Sequence, residues 1–243
     1  MENTQFSALF CEICNKNGLE CYATDAYAAQ FERLTELMLE TNRVMNVTAL
    51  TTVEKIVPLH YADCLKIADR IPEGATVADI GCGGGFPTLP LAMVRPDLTI
   101  VGIDSTDKKV RYVQRTAEAL GLTNVQTKAA RAEELAHDPA IRESFDVVIS
   151  RAVARLNVLD ELCLPLVKIG GQFMAMKGAA GQIELDEAAH GMSRLGAEIR
   201  VTEPYQIHLS VESEDRTLII AEKVASTPRE FPRLFGNIKK KPL

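Results

Sequence analysis

Val77-Ala78-Asp79-Ile80-Gly81-Cys82-Gly83-Gly84-Gly85-Phe86-Pro87 decides how the rest of this 243-residue chain is laid out. Val77 to Ile80 is an apolar run suited to a buried parallel strand, with one acidic residue near its exit. Four glycines then fall within five residues, a density that suits a backbone at positive φ or one approaching a ligand closely. Pro87 fits the first position of a helix, whose amides, with those of the loop, face whatever binds there. Asp104 ends the next apolar run about 20 residues further on, the spacing of a nucleotide-binding unit.

The glycine spacing speaks against a dinucleotide. Counting from Gly81 puts Phe86 in the sixth place, where the dinucleotide fingerprint has a glycine. Asp79 would repel a pyrophosphate, but it suits a ligand carrying an ammonium group, met directly or through water. S-adenosylmethionine has that group and no phosphate.

Downstream, strands and helices alternate, the pattern of a mostly parallel sheet covered on both faces. Strands are expected at 98–103, 125–129, 145–150, 172–176, 199–202 and 218–222, which with 77–80 makes seven. Val110, Val113, Ala117 and Leu120 stripe a helix that Gly121 ends, and Ile183, Leu185, Ala188, Met192 and Leu195 mark another. Ligands of such sheets sit beyond the carboxyl ends of the strands, so Asp79, Gly81, Asp104, Glu133, Arg151 and Lys177 share one edge.

Upstream, Tyr27, Phe31, Leu34, Leu37 and Met38 form one apolar helix face with Thr24 or Asp25 as its cap. Asn42 to Thr48 interrupts it, Thr51 and Glu54 have capping-box spacing, and Pro58 kinks or restarts the next helix. His60 and Asp63 share a helical face and read as a surface hydrogen-bonded pair. Three segments result: a helical N-terminal extension at 1–70, a cofactor-binding core at 71–225 and a basic tail at 226–243.

With 47% hydrophobic and 25% charged residues the chain has enough apolar material for one large core. No apolar run approaches membrane-spanning length and the N-terminus has no leader pattern, so a cytoplasmic protein without a membrane partner is expected. The six cysteines form no disulfide framework. Cys11-Glu12-Ile13-Cys14 lacks a second pair and lies on a helical apolar stripe, so it reads as packing, and no metal is expected. The net charge of −6 argues mildly against nucleic acid. Its distribution argues the other way: residues 223–243 hold six Lys/Arg against Glu230 alone. Composition by itself reads that end as solvated.

With these positions in place, the chain resembles the bacterial small-subunit rRNA guanine N(7)-methyltransferases, the RsmG or glucose-inhibited division protein B family. The likeness rests on Asn42-Arg43-Val44-Met45-Asn46-Val47-Thr48 with His60 and Asp63, on Asp79 through Pro87, and on Asp104-Ser105 with Lys108-Lys109-Val110. It continues through Arg131-Ala132-Glu133, Ser150 to Ala154, Pro165-Leu166, Lys177-Gly178, and Phe231-Pro232-Arg233 with Gly236 and Lys241-Pro242-Leu243. Cys64, Cys82, Gly84 and Thr88 depart from the more usual Ser, Ser, Ala and Gly.

The resemblance implies an α/β, Rossmann-like class I S-adenosylmethionine-dependent methyltransferase, acting on a guanine in the 530 loop of 16S rRNA, at position 527 in the usual RNA numbering. It implies cofactor contacts at Gly81, Phe86, Ala132, Glu133 and Arg151, to which the glycine loop adds Asp79 and Gly83 and the second strand adds Asp104 at the ribose. Arg151 would orient the reacting groups, with no general base. Lys108, Lys109, Arg111, Lys177, Arg233, Lys239, Lys240 and Lys241 are the RNA contacts expected, and the protein is expected to be a monomer partnered by 16S rRNA or the small ribosomal subunit. The rivals are a class I methyltransferase of another RNA or a small molecule, and a ribosome-binding module of the same fold without chemistry. A broken glycine loop or a missing Asp104 would mark the second, and both are intact.

Overall fold

The computed structural model describes residues 3–243. Seven strands form one sheet in the order β3-β2-β1-β4-β5-β7-β6. They are β1 Thr76–Ile80, β2 Thr99–Asp104, β3 Val125–Ala129, β4 Phe145–Arg151, β5 Val167–Gly178, β6 Ala197–His208 and β7 Ser213–Lys223. The first five pair in parallel, and β7 enters antiparallel between β5 and β6. The strand order reverses at β1, with β2 on one side and β4 on the other, which is where open sheets of this kind bind ligands.

β6 and β7 are far longer than the short segments expected at 199–202 and 218–222. Their outer halves form an antiparallel ribbon of mostly polar residues, in which backbone pairing rather than an apolar face defines the strand.

Successive strand residues point to opposite faces, and each face has its own cover. Val77, Ile100, Val147, Ile149, Met174 and Ile220 face one apolar layer, and Ala78, Ile103, Val148, Phe173, Ala175 and Ile219 face the other. The first layer is closed by α1 Asn3–Lys16, α2 Asp25–Asn42, the helical segment 53–65, α5 Thr88–Val94 and α6 Asp107–Ala119. The second is closed by α7 Ala132–Leu135, α8 Leu156–Cys163, α9 Gly181–Arg194 and α10 Phe235–Lys240.

Thr24 caps α2, its hydroxyl accepting from the Tyr27 amide. The capping box expected at Thr51 and Glu54 does not form: Thr52 stands at the cap of α3 Val53–Ile56 without a side-chain bond. Pro58 neither breaks nor restarts the helix. The chain passes through a π-helical turn, Val57–Ala62, into α4 Asp63–Leu65, a widening that accommodates a residue with no amide hydrogen.

The tail is also anchored rather than solvated. Arg142 donates to the carbonyls of Ala136, Thr227, Pro228 and Phe231, and buried Ile238 seats α10.

Phe31 on α2 is fully buried between the rings of Phe10 and Tyr61, at centroid distances of 4.9 and 4.8 Å. Phe31→Ala is expected to cost about 3–5 kcal/mol. Because these rings share one apolar layer with the sheet, urea unfolding is expected to remain a single transition with a lower midpoint. Two separated transitions would show that the N-terminal helices fold independently.

Candidate active site

A cavity of about 530 Å³ opens over the carboxyl ends of β1, β2 and β4. Its floor is the glycine loop. Gly81 leaves β1 at φ +76°, and the amides of Gly81 and Cys82 both donate to the Ile103 carbonyl, tying the loop to β2. A Cβ on Gly81 would lie 2.3 Å from Cγ2 of Val153, so both its conformation and its neighbour require glycine. Pro87 precedes the helix that the loop leads into, standing at the cap of α5 rather than at its first position.

Asp104 holds the loop from the side. Its Oδ2 accepts from the Gly83 amide at 3.1 Å and its Oδ1 from Thr106 at 2.8 Å, leaving further lone pairs toward the cavity it lines. Phe86, Ala132, Glu133 and Lys109 also line the cavity, as does Arg151. Phe235 of the tail reaches its wall, a contribution that sequence reading missed because it lies more than 80 residues from β4.

Asp79 is placed differently from expectation: it is buried and does not line the cavity. Its Oδ2 accepts from both the amide (3.2 Å) and the hydroxyl (2.6 Å) of Thr88, capping α5, while Oδ1 finds no partner among the described residues. Burial pushes its carboxyl up to about 6, against the pull of the Thr88 hydrogen bonds and Arg151.

Arg151, at the end of β4, is clasped by the segment 53–65. Its Nη1 donates to the Leu59 carbonyl at 3.0 Å and to Asp63 Oδ2 at 2.9 Å, and its Nη2 lies 2.9 Å from His60 Nδ1. The partner is therefore Asp63, not Glu133 or Asp104, and His60 and Asp63 are not a surface pair. Asp63 is 3% exposed and also accepts from the Tyr205 hydroxyl at 2.9 Å. The His60 ring stacks on Phe86 at 4.2 Å and 8°, and burial, with Arg151 beside it, lowers its pKa to about 3. The sequence places both residues on one helical face but gives no sign of an arginine some 90 residues away.

Two expected RNA contacts point inward. The Lys177 ammonium is 8% exposed, donates to the Ala154 carbonyl and pairs with Glu184 at 2.7 Å. Arg233 is bound through Nε and Nη2 by the fully buried Glu161, which also accepts its amide, so it fastens the tail. Lys108, Lys109 and Arg111 lie on α6, with Arg111 paired to Asp107, and Lys239, Lys240 and Lys241 are exposed at the end of the chain.

A family model described as GidB, rRNA small subunit methyltransferase G, matches residues 27–209. The chain belongs to that family. The small-subunit rRNA methyltransferase G of Clostridium perfringens (strain 13 / Type A) is 38% identical, over 98% of this chain and 99% of its own. That of Geobacillus thermodenitrificans is 40% identical over the whole of both. Among solved structures, a SAM-dependent methyltransferase from Methanosarcina mazei aligns with a TM-score of 0.53 at 16% identity, covering 66% of this chain and 98% of that one. The cyclase SpnF aligns with a TM-score of 0.57 at 16% identity, covering 81% and 95%. Like its family, the chain is an S-adenosylmethionine-dependent methyltransferase.

The residues present fit that cofactor. The cavity offers bare backbone at Gly81, a carboxylate with free lone pairs at Asp104 and the Arg151 cation, and next to its floor in the chain lies the buried Asp79, one oxygen of which has no partner among the described residues.

The raised Asp79 pKa has a consequence for stability. A carboxyl raised from 3.8 to about 6 binds a proton more tightly folded than unfolded, so its contribution is present below pH 4 and is lost as pH rises through 6. The melting temperature of Asp79→Asn relative to the unsubstituted protein is therefore expected to rise between roughly pH 4 and 7, both measured without cofactor. A difference independent of pH would show that Asp79 is not a strained carboxylate.

Proposed function

We propose that this methyltransferase transfers the methyl group of S-adenosylmethionine to N(7) of the guanine in the 530 loop of 16S rRNA, acting as a monomer in the cytoplasm. The single observation that carries the reading is that, among the described residues, the cavity's imidazole and the carboxylate at its loop are held in other contacts: His60 by Arg151 and Thr48, and Asp104 by the amides of Gly83 and Thr106. Guanine N(7) already holds an in-plane lone pair and loses no proton on methylation, so alignment dominates its reaction.

The cofactor, when bound, supplies an electrophilic methyl group on its sulfonium. Asp104, the Gly81 backbone and the Ala132–Glu133 turn hold it, and Arg151 fixes the reacting groups with a guanidinium that three neighbours keep from turning. The parallel His60–Phe86 pair walls the cavity. His60 stays neutral at physiological pH, and burial raises the thiols of Cys64, to about 12, and of Cys82 and Cys163, leaving no thiolate to attack a ring.

The RNA footprint extends over α6 and the tail. Lys108, Arg111 and Arg115 border a second cavity of about 590 Å³, floored by Leu37, Met45 and Tyr112, with Glu40 and Asp107 at its rim. Lys239, Lys240 and Lys241 follow Phe235, which touches the first cavity. Among the described residues no helix is long and apolar enough to cross a membrane.

Labelled cofactor offered with naked 16S rRNA and with small subunits, followed by mapping of the modified base, tests the target. Label anywhere but guanine N(7) would refute it. Single-turnover rates are expected to be flat between roughly pH 7 and 9, since His60, lowered to about 3, does not titrate there. His60→Ala and Arg151→Lys are expected to slow transfer by about 10²-fold through misalignment, without adding a titration. Replacing Lys108, Arg111 and Arg115 by alanine is expected to flatten the salt dependence of RNA binding while cofactor binding is unchanged.

A further inference from the structure

The hydrogen bonds around Thr48 leave one group free, and its polarity is fixed. The segment 43–52 follows α2 and leans over the glycine loop, close enough that a Cβ on Gly84 would lie 2.9 Å from the Val47 carbonyl oxygen. Asn42 shapes it. Its Oδ1 accepts from the amides of Val47 (2.8 Å) and Thr48 (3.1 Å), and its Nδ2 donates to the Thr48 carbonyl at 3.1 Å. Both backbone polar groups of Thr48 are thus held by one side chain, and its residue lines the cavity beside His60, Phe86 and Arg151.

An arginine can only donate. The His60 Nδ1 that faces Arg151 Nη2 must therefore accept, which puts the imidazole proton on Nε2. That N–H lies 2.7 Å from Thr48 Oγ1 and donates to it, and the Leu50 amide donates to the same oxygen at 3.0 Å. A hydroxyl has two acceptor lone pairs and one donor proton. Both lone pairs are taken, and no acceptor for the proton is present among the described residues. Thr48 therefore faces the cavity as a donor that has lost the ability to accept.

We infer that the Thr48 hydroxyl reads O6 of the target base and so selects guanine over adenine, an assignment that rests on the guanine N(7) reading above. Guanine presents two acceptors, N7 and O6, on its major-groove edge, whereas adenine presents N7 and an amino group. A donor at O6 leaves the N7 lone pair free for the methyl group. Adenine would set its amino hydrogens against an oxygen with no lone pair to offer, leaving both groups unpaired, which is how a hydrogen-bonding site rejects a near-isostere. The chain Arg151–His60–Thr48 thereby links the residue that aligns the methyl transfer to the residue that checks the base, and Asn42 is the positioning residue for the second.

The test is a cycle of base and side chain. 16S rRNA carrying guanine, or 2-aminopurine, which lacks O6 but keeps N7, at the target position is methylated under single-turnover conditions. The unsubstituted enzyme is expected to lose roughly tenfold in rate on 2-aminopurine. Thr48→Val is expected to be slower by about the same factor on guanine and to lose nothing more on 2-aminopurine, while Thr48→Ser, which keeps the hydroxyl, recovers the response to O6. Calorimetry without RNA is expected to give the same S-adenosylmethionine affinity for all three proteins. Losses that multiply in the cycle, or an unsubstituted enzyme indifferent to O6, would overturn the inference. A cofactor affinity that falls in Thr48→Val would instead give the hydroxyl to the cofactor and overturn it equally. The 2-aminopurine arm on the unsubstituted enzyme needs no variant to fold. Failure to methylate guanine N(7) at all would refute the underlying reading first and show up before any substitution is made.

Discussion

Arg151 is a largely enclosed cation at the mouth of the cavity, its side chain 13% exposed, and much of the molecule is arranged to keep it there. Asp63 neutralises it at 2.9 Å, and Asp63 is itself held by the Tyr205 hydroxyl from β6, with Arg216 of β7 at 3.7 Å. Taking such charges out of water costs several kcal/mol each, and their attraction repays that only with good geometry and full hydrogen bonding. The pair is thus poor evidence for stability. What it supplies is position: one interaction fastens the N-terminal helical segment and the antiparallel ribbon to the end of β4. Losing Asp63 would leave an uncompensated guanidinium in the interior, so the three parts are registered together.

The same segment explains why the glycine loop is crowded from above. Gly81 lies under Val153 and Gly84 under Val47, so residues from the turn after β4 and from the turn after α2 both need bare backbone beneath them. The turn after β4 carries its own strain, since Ala152 is held at φ +58°, a conformation that costs a non-glycine residue about 1 kcal/mol or more. Strain of this kind persists only where packing over-determines it, and here it delivers Val153 onto Gly81 immediately after placing Arg151.

What could be read from the sequence was local in origin. The strand, the glycines and Asp104 follow one another within 30 residues, and their roles follow from backbone geometry that any such unit shares. The seven strands were legible through apolar runs, except for the outer halves of β6 and β7, which pair without being apolar. His60, Lys177 and Arg233 were misread for one common reason. A charged or polar side chain at a strand end or on a helix face gives no sequence sign of whether a partner closes over it. For His60 and Arg233 that partner, Arg151 or Glu161, lies over 70 residues away. Asp79 was placed at the right loop but on the wrong side of it, because alternation along β1 fixes which face a residue takes while the cap it makes to Thr88 depends on how α5 turns back.

The chemistry therefore does not reside in the sheet. A cyclase aligns with this chain about as well as a methyltransferase does, at 16% identity each, so the strands and the glycine loop define a place for a cofactor and leave the reaction open. Selection falls to what is laid across that place. Here it is the turn between α2 and α3, organised by Asn42, and the π-helical turn that follows it, which together bring Thr48, His60 and Asp63 to Arg151. The π-helical turn carries His60 itself and leads directly into Asp63, so its wider winding sets the direction in which both meet the guanidinium. The widened turn is the local irregularity through which a helix packed mainly for its apolar face also presents His60 to the cavity and Asp63 to the guanidinium behind it.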